Sequence, residues 1–276
     1  MDETEKELKR ANEFQEHGES IVATIKDPKN YQPFIESLTQ SLLKRESVLG
    51  RYNHITAQSY SALGDIYVQM TRGGNEQQPR AVVMYKTCYR IHTFLYGKCN
   101  GRISGAFRDV LSRQRGLSEQ EIEEVRLDVL QSMRFEMEGD LLRRFGDRKA
   151  AVREYQKAAR VEEFAFGRDN PDLAYICRKM ACLASIKKKS AMAATSLHQS
   201  VLLDFDEADR LGHKWMKNAK DALSPNTCAC IRKGDKYYES LLYGHAVSEY
   251  LRATMVDNNL DRKSSKSGSG GKNKQK

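Results

Sequence analysis

Carboxylates at fixed intervals are the first residues that could do chemistry in this chain. Asp65, Asp140 and Asp235 each directly follow a glycine: Gly64, Gly139 and Gly234. One helical turn beyond each acid stand Val68, Arg143 and Tyr238, and Glu136, Arg144, Tyr175 and Arg178 fall on comparable faces. Such a set reads charge on an extended or helical peptide. Acids accept from cationic side chains, and arginine forks a carboxylate in two parallel hydrogen bonds. A second reading of the same residues stays open. Asp140 and Arg178 would pair across neighbouring helices and simply knit them together, as many individually weak surface ion pairs do.

Other chemistries find less to work with. Cys228-Ala229-Cys230 suggests a metal or redox site, but residues two apart on a helix point in different directions. Buried thiols are the expectation. The six histidines form no two-histidine helical motif, and there is no phosphate-cradling glycine loop, nucleophile elbow or kinase signature. No carboxylate stands out by an apolar setting that would shift its pKa. The sequence therefore predicts no catalytic residue, no cofactor and no metal. A nucleic-acid surface is the alternative of a different class. It would use Lys187, Lys188 and Lys189 with Arg102, Arg108, Arg113 and Arg115, because phosphate binding needs only accessible cations. Glu119, Glu121, Glu123 and Glu124 follow at once and counter those arginines.

The elements that must position these residues repeat. After each pattern glycine, an alanine, an aromatic and a small residue recur in register. Gly139, Ala151, Tyr155 and Ala158 match Gly234, Ala246, Tyr250 and Ala253. Gly64, Ala81, Tyr85 and Cys88 form a copy with five extra residues. Spacing of this kind predicts stacked helix pairs, in which the small residues and Tyr67, Tyr85, Tyr155 and Tyr250 pack the core. Helices are expected near 5–25, 31–49, 56–71, 79–96, 119–145, 148–166, 172–187, 190–211, 225–242 and 245–257. Punctuation agrees: Asn170-Pro171-Asp172 and Ser224-Pro225 open helices, and Ser118 with Glu121 makes a capping box. Gly50, Gly97, Gly167 and Gly212 each follow a second helix and are read as its left-handed end.

These residues resemble tetratricopeptide repeat (TPR) proteins, specifically the longer repeat of the kinesin light chain-like subclass. Phe166-Gly167-Arg168-Asp169-Asn170-Pro171-Asp172-Leu173-Ala174 follows that subclass's linker, and Leu49 to Ala57 is a looser copy. The resemblance covers about residues 12–257. It implies an all-α, right-handed α-α superhelix of about five helix pairs whose first helices line a concave groove. Residues 99–117 are an insertion that the repeat pattern does not explain, read here as a flexible docking loop. The family's carboxylate clamp does not carry over, because Glu136 and Asp140 stand where it needs cations. Nor do the asparagines of kinesin light chains, since Ala62, Glu138, Lys179 and Lys233 replace them.

Composition sets the remaining bounds. The chain has 276 residues, 30% of them charged and 39% hydrophobic, with a net charge of +9. Residues 262–276 carry six cations and no acid, which leaves +3 for the repeat domain, 1–261. That Ser/Gly/Lys tail cannot bury apolar surface and is expected to be disordered. No membrane span and no signal peptide are read, so a cytoplasmic location follows as the expectation. The functional expectation is a non-catalytic adaptor that holds a protein or peptide partner in its groove. An RNA- or ribosome-associated factor acting through basic loops and the tail is the alternative.

Overall fold

A computed structural model describes residues 3–24, 31–71, 78–97, 101–184 and 225–267. The described residues are all-α, in ten helices without a strand. They are α1 (Glu3–Thr24), α2 (Gln32–Leu49), α3 (His54–Thr71), α4 (Gln78–Tyr96), α5 (Gly101–Arg115), α6 (Glu119–Arg144), α7 (Arg148–Phe166), α8 (Pro171–Ala184), α9 (Pro225–Glu239) and α10 (Tyr243–Ser267). The expected helix over 190–211, Lys187 to Lys189, and Gly212 lie outside the described residues.

Local chemistry sets the helix starts. Ser118 caps α6 in a reciprocal box with Glu121, and Asp147 accepts from the Ala150 N–H at 3.0 Å to open α7. Asn170 opens α8, its Oδ1 accepting from the Asp172 N–H at 3.0 Å. The glycine ends differ from expectation. Gly50 (φ 79°, ψ 167°) and Gly167 (φ 77°, ψ −176°) have positive φ but extended ψ, outside the left-handed helical well. That region is essentially open to glycine alone, and it throws the chain outward instead of curling it.

Neighbouring helices pack as pairs, α1 on α2, α3 on α4, α6 on α7 and α9 on α10. Three of these pairs share one joint. A Cβ on Gly64 would stand 3.0 Å from the Tyr85 ring, and one on Gly139 would stand 2.6 Å from the Tyr155 ring; Gly234 lies as tightly under Tyr250. Each tyrosine then donates its hydroxyl to the acid beside that glycine. Tyr155 reaches Asp140 at 2.5 Å, Tyr250 reaches Asp235 at 2.8 Å, and Tyr85 reaches Asp65. Ala81, Ala151, Ala158, Ala246 and Ala253 are fully buried at the same seams. The repeated spacing thus encodes a Gly–Tyr–Asp lock between the two helices of a pair.

Two boundaries move. Residues 101–115 of the insertion form a helix, not a flexible loop. Phe107, Val110 and Leu111 of α5 are buried, and Phe107 lies 5.4 Å from the Tyr89 ring of α4. At the other end α10 continues to Ser267, ten residues past its expected stop and into the segment read as disordered.

Gly139→Ala is expected to lower stability by about 1–3 kcal/mol, because the added methyl overpacks the Tyr155 ring. Gly105→Ala, in α5 with open space around its Cβ, should be neutral or stabilising by up to about 1 kcal/mol. Denaturant titrations of the two variants test the lock, and equal midpoints would refute it.

Candidate functional site: a buried chain of alternating charges

The interior between α4, α6, α7 and α8 is ionic. α4 runs Ala81-Val82-Val83-Met84-Tyr85-Lys86-Thr87-Cys88-Tyr89-Arg90-Ile91, every residue of it buried. Lys86 and Arg90 lie one turn apart on that apolar helix, so their charges need partners inside the protein. Glu162 of α7 supplies both, accepting from Lys86 Nζ at 2.6 Å and from Arg90 Nη1 at 2.6 Å.

The pairing continues in both directions. Lys86 Nζ also lies 2.6 Å from Asp172 of α8, which accepts from Thr87 at 2.9 Å and from Arg51 Nη2 at 2.5 Å. Arg51 turns into the protein directly after Gly50 and donates to Glu46 at 2.7 Å and Tyr60 at 2.9 Å. On the other side Arg90 pairs with Glu136 of α6, which accepts from Lys179 at 2.7 Å and Tyr52 at 2.9 Å. Lys179 reaches Asp140 at 2.9 Å, and Arg143 lies 3.9 Å from that acid. The order is Glu46–Arg51–Asp172–Lys86–Glu162–Arg90–Glu136–Lys179–Asp140–Arg143. Signs alternate without a break, and five acids balance five bases.

Burial makes the charges depend on one another. Burial alone would raise the Glu136 pKa, but Lys179 and Arg90 outweigh it and hold the carboxyl down at about 2. Asp172 is likewise held below the usual carboxylate range, with Lys86, Arg51 and Arg90 overcoming its desolvation. Burial works against the charge of Arg51, Arg90 and Lys179, yet their partners raise all three well above their ordinary values. These acids are therefore fixed as carboxylates and these bases as cations, and neither set is poised to exchange a proton near neutral pH.

The groove candidates mostly join this interior. Glu136, Arg143, Tyr175 and Asp235 are buried. Tyr175 is stacked between cations, its ring 4.9 Å from the Arg51 guanidinium and 4.8 Å from Lys179 Nζ. Asp140 does not take Arg178 as its partner; Lys179 has it, and Arg178 donates instead to Asp235 at 2.8 Å. Tyr238 contacts Arg51 and Glu46 across the chain. Val68 is half-buried, and only Asp65 and Arg144 of the ten candidates are exposed.

Sequence reasoning passed over Glu46, Arg51, Lys86, Arg90, Glu162 and Asp172. The signal was present: charged residues inside the wholly apolar run of α4 must be paired. The shifts of Glu136 and Asp172 come from neighbouring cations and not from the apolar setting that the sequence was searched for. The described cysteines Cys88, Cys177, Cys182, Cys228 and Cys230 are buried free thiols, and burial pushes Cys177 up to about 12. Among the described residues no group of three His, Cys, Asp or Glu converges on a metal position. No described helix is long and apolar enough to cross a membrane.

Stability should fall with acid in a definite window. Glu136 is depressed in the fold relative to its ordinary 4.5, so the unfolded chain takes up its proton first. Its contribution is complete above about pH 4.5 and drains away as the pH falls toward 2. Glu136→Gln leaves Lys179 with Asp140 and Arg90 with Glu162 as their remaining acids and breaks two buried pairs, so about 3–5 kcal/mol should be lost at pH 7. The variant should also show a shallower decline of stability between pH 5 and pH 3. Chemical denaturation across that range tests both, and an unchanged slope would remove Glu136 from the acid response.

Compared with known proteins, this chain matches no family model, no curated protein and no solved structure.

Proposed function

We propose that this chain is a non-catalytic scaffold of TPR-like helix pairs, stacked as a right-handed superhelix and working in the cytoplasm. Three Gly–Tyr–Asp locks support the repeat reading. The ionic interior supports a structural use of the acids and bases that a groove would otherwise present. On this reading the partner is held on the outer surface, because the inner residues are already spent on each other.

One observation carries that placement. Leu127, Leu130, Met137 and Leu141 of α6 are 56%, 40%, 53% and 53% exposed, and Phe145 at its end is 79% exposed. They fall along one side of the helix, nearly opposite the buried Val129, Ser132, Glu136 and Arg143. The stripe is about 27 Å long at the α-helical rise. Large apolar side chains this exposed along one side of a helix mark a protein contact.

Affinity capture from nuclease-treated lysate, comparing the full chain with Leu130→Glu/Leu141→Glu, tests the scaffold. Both substitutions fall on exposed positions, so circular dichroism and the melt should be unchanged within about 0.5 kcal/mol. Captured proteins should be lost from the variant and survive nuclease. Capture that the variant retains and nuclease abolishes would transfer the function to nucleic acid. The exposed arginines of α5, Arg102, Arg108 and Arg113, would then be the first to mutate.

A further inference from the structure

We propose that the apolar stripe of α6 is covered by a second copy of this chain, with the two α6 helices packed antiparallel about a two-fold axis. The inference rests on the outer-face reading above and names the partner for that face.

The spacing is that of a helix seam. Leu127, Leu130, Arg134, Met137, Leu141 and Arg144 alternate three and four residues apart, the a/d pattern of a two-helix coil and narrower than a core-facing stripe. The inner face of α6 is already occupied by α7 and the ionic chain, so this seam is a second face on one helix. Its pattern is also nearly symmetric end to end. With a two-fold axis between Arg134 and Met137, Leu130 of one copy meets Leu141 of the other, and Leu127 meets Arg144 and Phe145. A self-complementary patch of this form closes after two copies instead of propagating.

Charge selects the direction. The exposed start of α6 is acidic, with Glu119, Glu123 and Glu124. Its end is basic, with exposed Arg144 followed by Arg148 and exposed Lys149 at the start of α7. Antiparallel packing sets the acidic end of each copy against the basic end of the other, and the helix dipoles then also oppose. Parallel packing would set like against like at both ends. At the centre, Arg134 of one copy comes beside Glu138 of the other, which gives this central charged seam position an acidic partner and fixes the register.

Sedimentation equilibrium of the full chain over a wide concentration range tests this directly. A single helix seam lies at the small end of stable interfaces, so the dimer should be concentration-dependent. The mass should rise from 31.5 kDa toward twice that value. Leu130→Glu and Leu141→Glu should each hold the chain at the monomer mass with unchanged helicity. Arg134→Glu should weaken association at least tenfold, and adding Glu138→Arg should restore it, which only this register explains. A full chain that stays at 31.5 kDa throughout would overturn the inference, as would a dimer indifferent to both leucine variants. If the chain is monomeric but its captured proteins still depend on Leu130 and Leu141, self-pairing falls and the scaffold reading stands. If neither mass nor capture depends on the stripe, both fall.

Discussion

Asp172 has virtually no contact with water, and it lies against Arg51, Lys86 and Thr87 from two other parts of the chain. That contact is the constraint on which the rest of the arrangement depends. The helix pairs are local units, three of them closed by a tyrosine on a glycine. The charged chain joins early pairs to late ones alongside the apolar core, with contacts that span separations such as Arg51 to Asp172 and Lys86 to Glu162. Because each interior member lies between two of opposite sign, withdrawing one leaves both neighbours with at most a single partner apiece. Isolated ion pairs at a surface add little, whereas a buried charge left alone costs several kcal/mol. Assembly of the interior is therefore close to all-or-none.

Ionic packing need not make this fold more stable than an apolar interior would. Desolvating eight buried charges is expensive, and hydrophobic replacements of buried pairs in other proteins are often neutral or better. What alternation supplies is order. Helix pairs with similar apolar seams could slide or exchange neighbours, since grease fits grease in many registers. A sequence of signs fits in one. Sliding α4 by a turn against α7 would bring Lys86 to the place of Arg90 and leave one cation without an acid. The same order fills the space between α4, α6, α7 and α8.

Much of the local structure was legible and most of the site was not. Gly139, Ala151, Tyr155 and Ala158 announce a helix pair because close approach needs a missing Cβ and a ring to fill it. Asn170-Pro171 and Ser118 announce helix starts because capping is a matter of a few adjacent residues. α5 was legible in principle, from Ile103, Ala106, Phe107, Val110 and Leu111 at helical spacing, but its arginines drew the reading toward a loop. The ionic chain fails for a different reason. Asp172 and Arg51 are 121 residues apart, and nothing local says that they meet. The acids after the pattern glycines are legible, yet their partners are tyrosines one helix away, Lys179 and Arg178, a pairing that only the three-dimensional arrangement supplies. Sequence reasoning could still have asked one question of α4: why a helix apolar on every side carries Lys86 and Arg90.

The two faces of α6 follow from the same constraint. Its inner side carries Ser132, Glu136 and Arg143 among Ile122, Val129 and Met133, all buried. Its outer side carries Leu127, Leu130, Met137 and Leu141, all exposed. An ordinary surface helix would rotate to bury the leucines and wet the charges. Here it cannot, because Glu136 joins Arg90 to Lys179 and turning the helix would break both contacts. The ionic chain thus fixes the rotation of α6 and forces its leucines outward. A helix with an exposed apolar stripe behind its packed face is at ease only when both are covered. The interior covers one, and association covers the other without disturbing a single buried charge.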